Sequence, residues 1–187
     1  DTIVVCPDCE YGANIEAASR EVKKRTAWFE TTNAPVAMDK VLTQGLTSIE
    51  EVANFLSISQ AQTIKAVIKK AVYEEETKIV VFFIRGNDEL EETKACNAVN
   101  ALELEDASED EIKSAGLIAG YCGPFSLSDD ITFIIDNELK NEVGLACGAN
   151  EEHYHLVNTD LSSLDAQYKD LIAVQEGDKC SCCGGSL

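Results

Sequence analysis

The stretch Lys65-Ala66-Val67-Ile68-Lys69-Lys70-Ala71-Val72-Tyr73, the acidic Glu74-Glu75-Glu76, and Lys78-Ile79-Val80-Val81-Phe82-Phe83-Ile84 decide how this chain folds. Two runs rich in β-branched and aromatic residues flank a short charged segment, the pattern of an antiparallel hairpin with a solvated turn. Upstream, Thr47-Ser48-Ile49-Glu50 offers a hydroxyl and a carboxylate three residues later to the free amides of a helix start. Ile49, Val52, Phe55 and Leu56 then recur at helical spacing. Downstream, a helix is expected from Asp88 to about Val99, and Ser108 with Glu111 caps a further short one. Gly116, Gly120, Gly123 and Pro124 mark an irregular loop. Additional strands are expected at 3–5, 36–42, 131–135, 143–146, 154–157 and 171–174, and residues 13–22 have a helical composition. The interleaving lacks the regular spacing of a doubly wound fold. The expectation is therefore an α/β (mixed α+β) domain, with a mixed, largely antiparallel sheet surrounded by helices.

The chain has 187 residues, 45% of them hydrophobic and 26% charged, enough for one domain with a sizeable core. Its 15 Lys and Arg stand against 34 Asp and Glu, a net charge of -19. Nucleic-acid binding needs cationic side chains to displace counterions, so autonomous tight binding to tRNA or DNA is not expected, and any RNA contact would need help from other domains. No apolar run approaches the ~20 residues that span a bilayer, which points to a soluble, cytoplasmic protein without a membrane partner. Because the chain starts at Asp1 and ends on Gly184-Gly185-Ser186-Leu187, it reads as a single domain, 1–187, excised from a longer protein.

Five of the eight cysteines cluster at the two ends, leaving Cys96, Cys122 and Cys147 between, which suggests metal rather than oxidation. Cys6-Pro7-Asp8-Cys9 and Cys180-Ser181-Cys182-Cys183 each have the C-x-x-C spacing of a zinc knuckle. The expected ligands are Cys6, Cys9, Cys180 and Cys183, with Cys182 a substitute, and the two ends, 1–9 and 180–187, must then meet. Four protein thiolates close a zinc ion to water, so this metal would be structural.

Six segments in order resemble the editing domain inserted in bacterial-type prolyl-tRNA synthetases, a family related to the free-standing YbaK-type deacylases. They are Cys9 to Glu16, Val41-Leu42-Thr43 with the helix start at Thr47, Thr63-Ile64-Lys65, Arg85 to Lys94, Gly120 to Phe125, and Gly148-Ala149-Asn150 followed by His153-Tyr154. The resemblance implies a YbaK-like fold and an aminoacyl-tRNA deacylase that removes alanine mischarged on proline tRNA, in cis within a proline-tRNA ligase. A free-standing deacylase and a zinc-pinned binding module are the alternatives. It also implies partners, the 3′ end of aminoacylated tRNA(Pro) and the remaining synthetase domains. Editing would need no cofactor, and ATP would serve only the absent synthetic domain.

Residue by residue, the resemblance places Lys65, Gly123 and His153 in catalysis and Thr43, Thr63, Pro124, Gly148 and Asn150 against the substrate. Lys65 would direct a cation to the terminal phosphate or the ester. Gly123 would lend its backbone to a carbonyl or an α-amine, and His153 would shape the pocket or position water. Thr43 would hold a hydroxyl near the ester, whereas His155 is expected at the surface. One departure stands out, because Gly144 occupies the place where the family often has an aspartate before G-A-N. A cysteine hydrolase using Cys147 or Cys122 with His153 as base is the competing chemistry.

Overall fold

The computed structural model describes residues 2–22 and 37–187. The decisive hairpin is present: β4 (Ile64–Val72) pairs antiparallel with β5 (Thr77–Arg85) over nine residues each, from Ile64 opposite Arg85 to Val72 opposite Thr77. β6 (Glu103–Asp106) pairs antiparallel with the outer side of β4, and β7 (Thr132–Asp136) runs parallel to β5. With the two-residue β10 (Tyr168–Lys169) parallel to β7, the order across the sheet is β10-β7-β5-β4-β6. Val80 to Ile84 of β5 are all buried, because this central strand is covered on both faces. One face packs Val81, Phe83 and Ile135 with Leu139, Leu145 and Leu161; the other packs Val80, Phe82 and Ile84 with Ala95 and Leu171.

A second sheet of three antiparallel strands lies beside the first, in the order β3-β9-β8, built from β3 (Asp39–Leu42), β8 (Val143–Gly148) and β9 (Tyr154–Asp160). A single parallel bridge between Thr63 and Ala146 joins the two sheets. β1 (Ile3–Val5) and β2 (Gly12–Asn14) form a separate two-stranded ribbon. The fold is thus mixed and largely antiparallel, as the sequence predicts, with three short α-helices among the described residues. Val36, where one strand was expected to begin, lies outside the described residues.

Several boundaries move for identifiable reasons. Helix α1 (Ile49–Leu56) is capped by Ser48 and Glu51, one residue beyond the expected pair, through a reciprocal capping box. Helix α3 (Glu109–Ser114) has its Ser108 and Glu111 box where predicted. Helix α2 (Glu92–Ala98) begins four residues later than expected. The backbone from Glu89 to Glu91 is instead held by Leu171 and Ala173, through Glu91 N–H to the Leu171 carbonyl at 2.8 Å and Ala173 N–H to the Glu89 carbonyl at 3.0 Å. That pairing is all that forms of the strand expected at 171–174, apart from the bridge between Leu90 and Ile172. Residues 13–22 are not a helix. Ala13 and Asn14 pair with β1, and Arg20 bridges Cys180, so tertiary partners override a helix-compatible composition.

The two ends meet. Glu21 N–H donates to the Lys179 carbonyl at 2.7 Å, and the Arg20 side chain, 2% exposed, is clamped by three carboxylates. Its guanidinium donates to Asp88 at 2.7 Å, to Glu138 at 3.0 Å through both Nε and Nη2, and to Asp178 at 2.9 Å. One buried cation therefore ties the segment that carries Arg20, the loop after β5, the turn after β7 and the segment that carries Asp178 together.

Candidate functional site

A cavity of about 250 Å³ opens between the start of α1, the start of β4, the Gly120–Pro124 loop and the β8–β9 sheet. Its walls are mostly small or aliphatic, among them Ile64, Ala66, Ile68, Cys122, Ala146 and Cys147. Among the described residues lining it, Lys65 is the only lysine or arginine. Lys65 sits opposite Ile84 at the beginning of the hairpin, so the strand ladder fixes its Cα. Its ammonium donates to the Asp88 carbonyl at 2.6 Å and reaches Glu89 at 3.3 Å. An ammonium has three donors, and one remains for a ligand.

The glycine-rich loop owes its shape to backbone packed on backbone. A Cβ placed on Gly148 would lie 2.2 Å from the Tyr121 carbonyl carbon, and one on Gly123 would lie 1.9 Å from the Gly148 carbonyl oxygen. Both positions require glycine because no side chain fits between the two segments. Gly148→Ala is expected to force the loop away from β8 and cost about 1–3 kcal/mol of stability, as overpacking does, together with deacylation activity. Denaturant unfolding checks the first and turnover the second; a wild-type midpoint would show that the contact tolerates a methyl group.

Of the residues marked out by sequence, Lys65, Thr63 and Gly148 line the cavity, while Thr43, Gly123, Pro124, Asn150 and His153 are not part of its lining. Gly123 departs from its expected role. Its N–H donates to Asn150 Oδ1 and its carbonyl accepts from Asn150 Nδ2, both at 2.9 Å. Asn150 Nδ2 also donates to the Phe125 carbonyl at 2.6 Å. This asparagine is thus spent on stapling the loop, in a left-handed backbone conformation that asparagine tolerates. Pro124 is buried within the stapled segment, and the Thr63 hydroxyl donates to the Gln60 carbonyl at 2.7 Å.

The histidines exchange places relative to expectation. His153 precedes β9 at a positive φ of 71° with its side chain 42% exposed, and its Nδ1 contacts the Tyr121 hydroxyl at 3.3 Å. His155, expected at the surface, is buried and lines the cavity, because β9 is the central strand of its sheet. Its Nδ1 lies 2.6 Å from the Thr43 hydroxyl. Burial holds this imidazole below the ordinary histidine range, a hydrogen bond with the Gly120 backbone only partly opposing it, so it is neutral near pH 7. Thr43 is fully buried, its hydroxyl bonded to that ring rather than free for an ester. Sequence reasoning missed His155 because its β-strand partners on both sides, Val41 and Gly148, are set by long-range register.

Cys122 and Cys147 both line the cavity, but burial pushes the Cys122 thiol up to about 12 and the Cys147 thiol higher still. A thiol that resists ionisation is a poor nucleophile, and among the described residues neither has an imidazole partner, which weighs against the cysteine-hydrolase chemistry. Gly144 lies at a β-bulge with φ of 77°, a conformation that disfavours any side chain, and it is not part of the cavity lining.

The Sγ atoms of Cys6, Cys9, Cys180 and Cys183 all lie within 4.8 Å of one another. The Cys6–Cys183 and Cys9–Cys180 separations are 3.5 and 3.8 Å. Tetrahedral Zn–S bonds of about 2.3 Å place sulfur atoms about 3.8 Å apart, so this set fits a metal and is too wide for disulfides. Cys182 is exposed and lies outside the set.

Residues 43–165 match the family described as the aminoacyl-tRNA editing domain. The chain is 69% identical over its whole length to a proline--tRNA ligase of Aliarcobacter butzleri and 52% identical to that of Campylobacter curvus, spanning 32% of each relative. A solved structure described as a candidate trans-editing enzyme for prolyl tRNA synthetase superposes on 73% of this chain and 87% of its own, at a TM-score of 0.59 and 19% identity, a likeness of fold. With its cavity, its glycine-on-glycine loop and a family match across the segments that form both, the chain belongs to the aminoacyl-tRNA editing domain family.

Proposed function

We propose that the chain hydrolyses alanine from mischarged proline tRNA, as the editing part of a cytoplasmic proline-tRNA ligase whose other domains deliver the tRNA. The observation that carries this reading is a small-walled cavity with one cation at its mouth. Alanine is smaller than proline, so a synthetic site shaped for proline admits it, and a second site must accept the smaller residue and refuse the larger. The aliphatic and cysteine walls suit a methyl side chain. Lys65 then anchors the terminal phosphate or the ester oxygen. Thr63 and Gly148 line the space for the aminoacyl group. Gly123, Pro124 and Asn150 act through the loop they hold in place, and His153 through its contact with Tyr121. The reacting water attacks the ester carbonyl, and fixed dipoles around the cavity stabilise the developing oxyanion.

The test is a comparison of alanyl-tRNA(Pro) with prolyl-tRNA(Pro). A hydrophobic pocket that discriminates by size is expected to favour the alanyl ester by about 10- to 200-fold. No hydrolysis of either ester, with tRNA bound, would overturn the assignment and leave a binding module.

We further propose that the four clustered thiolates hold a structural zinc. When bound, the ion supplies no catalysis here, since four cysteines complete its coordination. Metal analysis of protein prepared without chelator is expected to find about one zinc per chain, and Cys180→Ser to lose it together with several kcal/mol of stability. Metal-free protein with an unchanged unfolding midpoint would overturn this second assignment.

A further inference from the structure

His155 stands where both rims of the cavity meet. One rim is the turn from Thr43 into α1, in which Leu46 N–H donates to the Thr43 carbonyl at 3.0 Å and Ser48 caps the helix. The other is the Gly120–Pro124 loop. The rims touch directly at Gly120, where an added Cβ would lie 2.7 Å from the Thr47 Cβ. The imidazole reaches both, through the Thr43 hydroxyl at 2.6 Å on one side and by lining the cavity beside Gly120 on the other. Tyr121, next in the loop, lays its ring against it with centroids 5.4 Å apart. The Thr43 N–H also donates to the His153 carbonyl at 2.7 Å, which locks the same turn to the strand carrying His155.

We propose that His155 and Thr43 form a positioning pair that fixes the two rims of the cavity relative to each other, and so holds the aminoacyl ester in register with Lys65. The inference rests on the deacylase reading above. Thr43 thereby has a role that needs no contact with substrate, and the chemistry required of it is a single hydroxyl. A neutral ring suits this task, because one of its nitrogens donates and the other accepts, which lets it share a hydrogen bond with the Thr43 hydroxyl at Nδ1 whichever partner carries the proton.

The experiment is a double-mutant cycle of His155→Phe and Thr43→Val in the full-length polypeptide that carries this chain, with hydrolysis of alanyl-tRNA(Pro) as readout. Phenylalanine keeps the ring against Tyr121 and removes both nitrogens; valine keeps the shape of threonine and removes the hydroxyl. Misplaced reacting groups depress turnover more than binding, so each single variant is expected to lower kcat about tenfold with KM within about twofold. The double variant is expected to be no worse than the poorer single one, since the two residues act through one contact. Thr43→Ser, which restores the hydroxyl, is expected to recover kcat to within about twofold of wild type. A purely structural role would lower the unfolding midpoint without coupling in kcat, and additive effects or wild-type turnover in the single variants would overturn the proposal. If His155→Phe does not fold, the valine and serine variants at Thr43 decide the matter between them. A wild-type protein without deacylase activity would instead sink the functional reading, and this inference with it.

Discussion

Lys65→Ala is expected to lower alanyl-tRNA(Pro) hydrolysis at least about a hundredfold, the scale of losing one preorganised electrostatic contact, while unfolding stays within about 1 kcal/mol of wild type. The two halves of this expectation have separate causes. The stability effect is small because the ammonium lies at the cavity rim, 23% exposed, and its carboxylate partner Glu89 is 73% exposed, an arrangement in which solvent screening leaves ion pairs worth little. Alanine also preserves the strand, since the ladder between Lys65 and Ile84 is made by backbone. The activity effect is large because, among the described residues lining the cavity, no other lysine or arginine replaces the lost charge. Single-turnover assays with thermal unfolding of the same preparation separate the halves. Normal turnover would remove Lys65 from the mechanism.

Arg20→Ala should produce the opposite profile, a protein crippled first in stability. Removing one partner from a buried ion pair costs about 3–5 kcal/mol, because the remaining charge is left unsolvated and uncompensated. Here one guanidinium answers Asp88, Glu138 and Asp178, all buried. For a domain of this size the loss corresponds to a fall on the order of 10 °C in the unfolding midpoint. Arg20→Lys is expected to recover only part of it, since a point charge does not reproduce the planar fork that serves several carboxylates at once. Activity would follow indirectly, because the backbone carbonyl of Asp88 is the anchor of Lys65. A midpoint unchanged in Arg20→Ala would mean that the cluster is hydrated and holds nothing together.

Where local signals and tertiary contacts agreed, the sequence was readable. The hairpin of β4 and β5 is written in two apolar runs around an acidic turn, and α3 in its serine and glutamate box. The cysteine pairs announced their own meeting through spacing alone. The misreadings share one cause, which is partners far away in sequence. Residues 13–22 look helical until Cys180 bridges Arg20, and Asp88 looks like a helix start until Arg20 takes its carboxylate. In the cavity, Lys65 was legible because a motif carries it, whereas His155 was not, since burial depends on which strands flank β9. The expected roles of Gly123 and Thr43 shifted for a related reason. A sequence shows which polar groups exist but not which neighbours have already used them.

The pairing of Cys6 with Cys183 and of Cys9 with Cys180 spans 177 and 171 residues, which sets an order of events during synthesis. A chain growing on the ribosome exposes the β4–β5 hairpin early, but the clasp has no second half until the end of the domain emerges. Closing a flexible loop of that length costs about 4–5 kcal/mol of chain entropy, and most of it falls due before the first long-range thiolate contact forms. The cysteine clasp therefore stays open through most of translation, and protection of the clasped segments from proteases is expected only once Cys180 and Cys183 have left the exit tunnel.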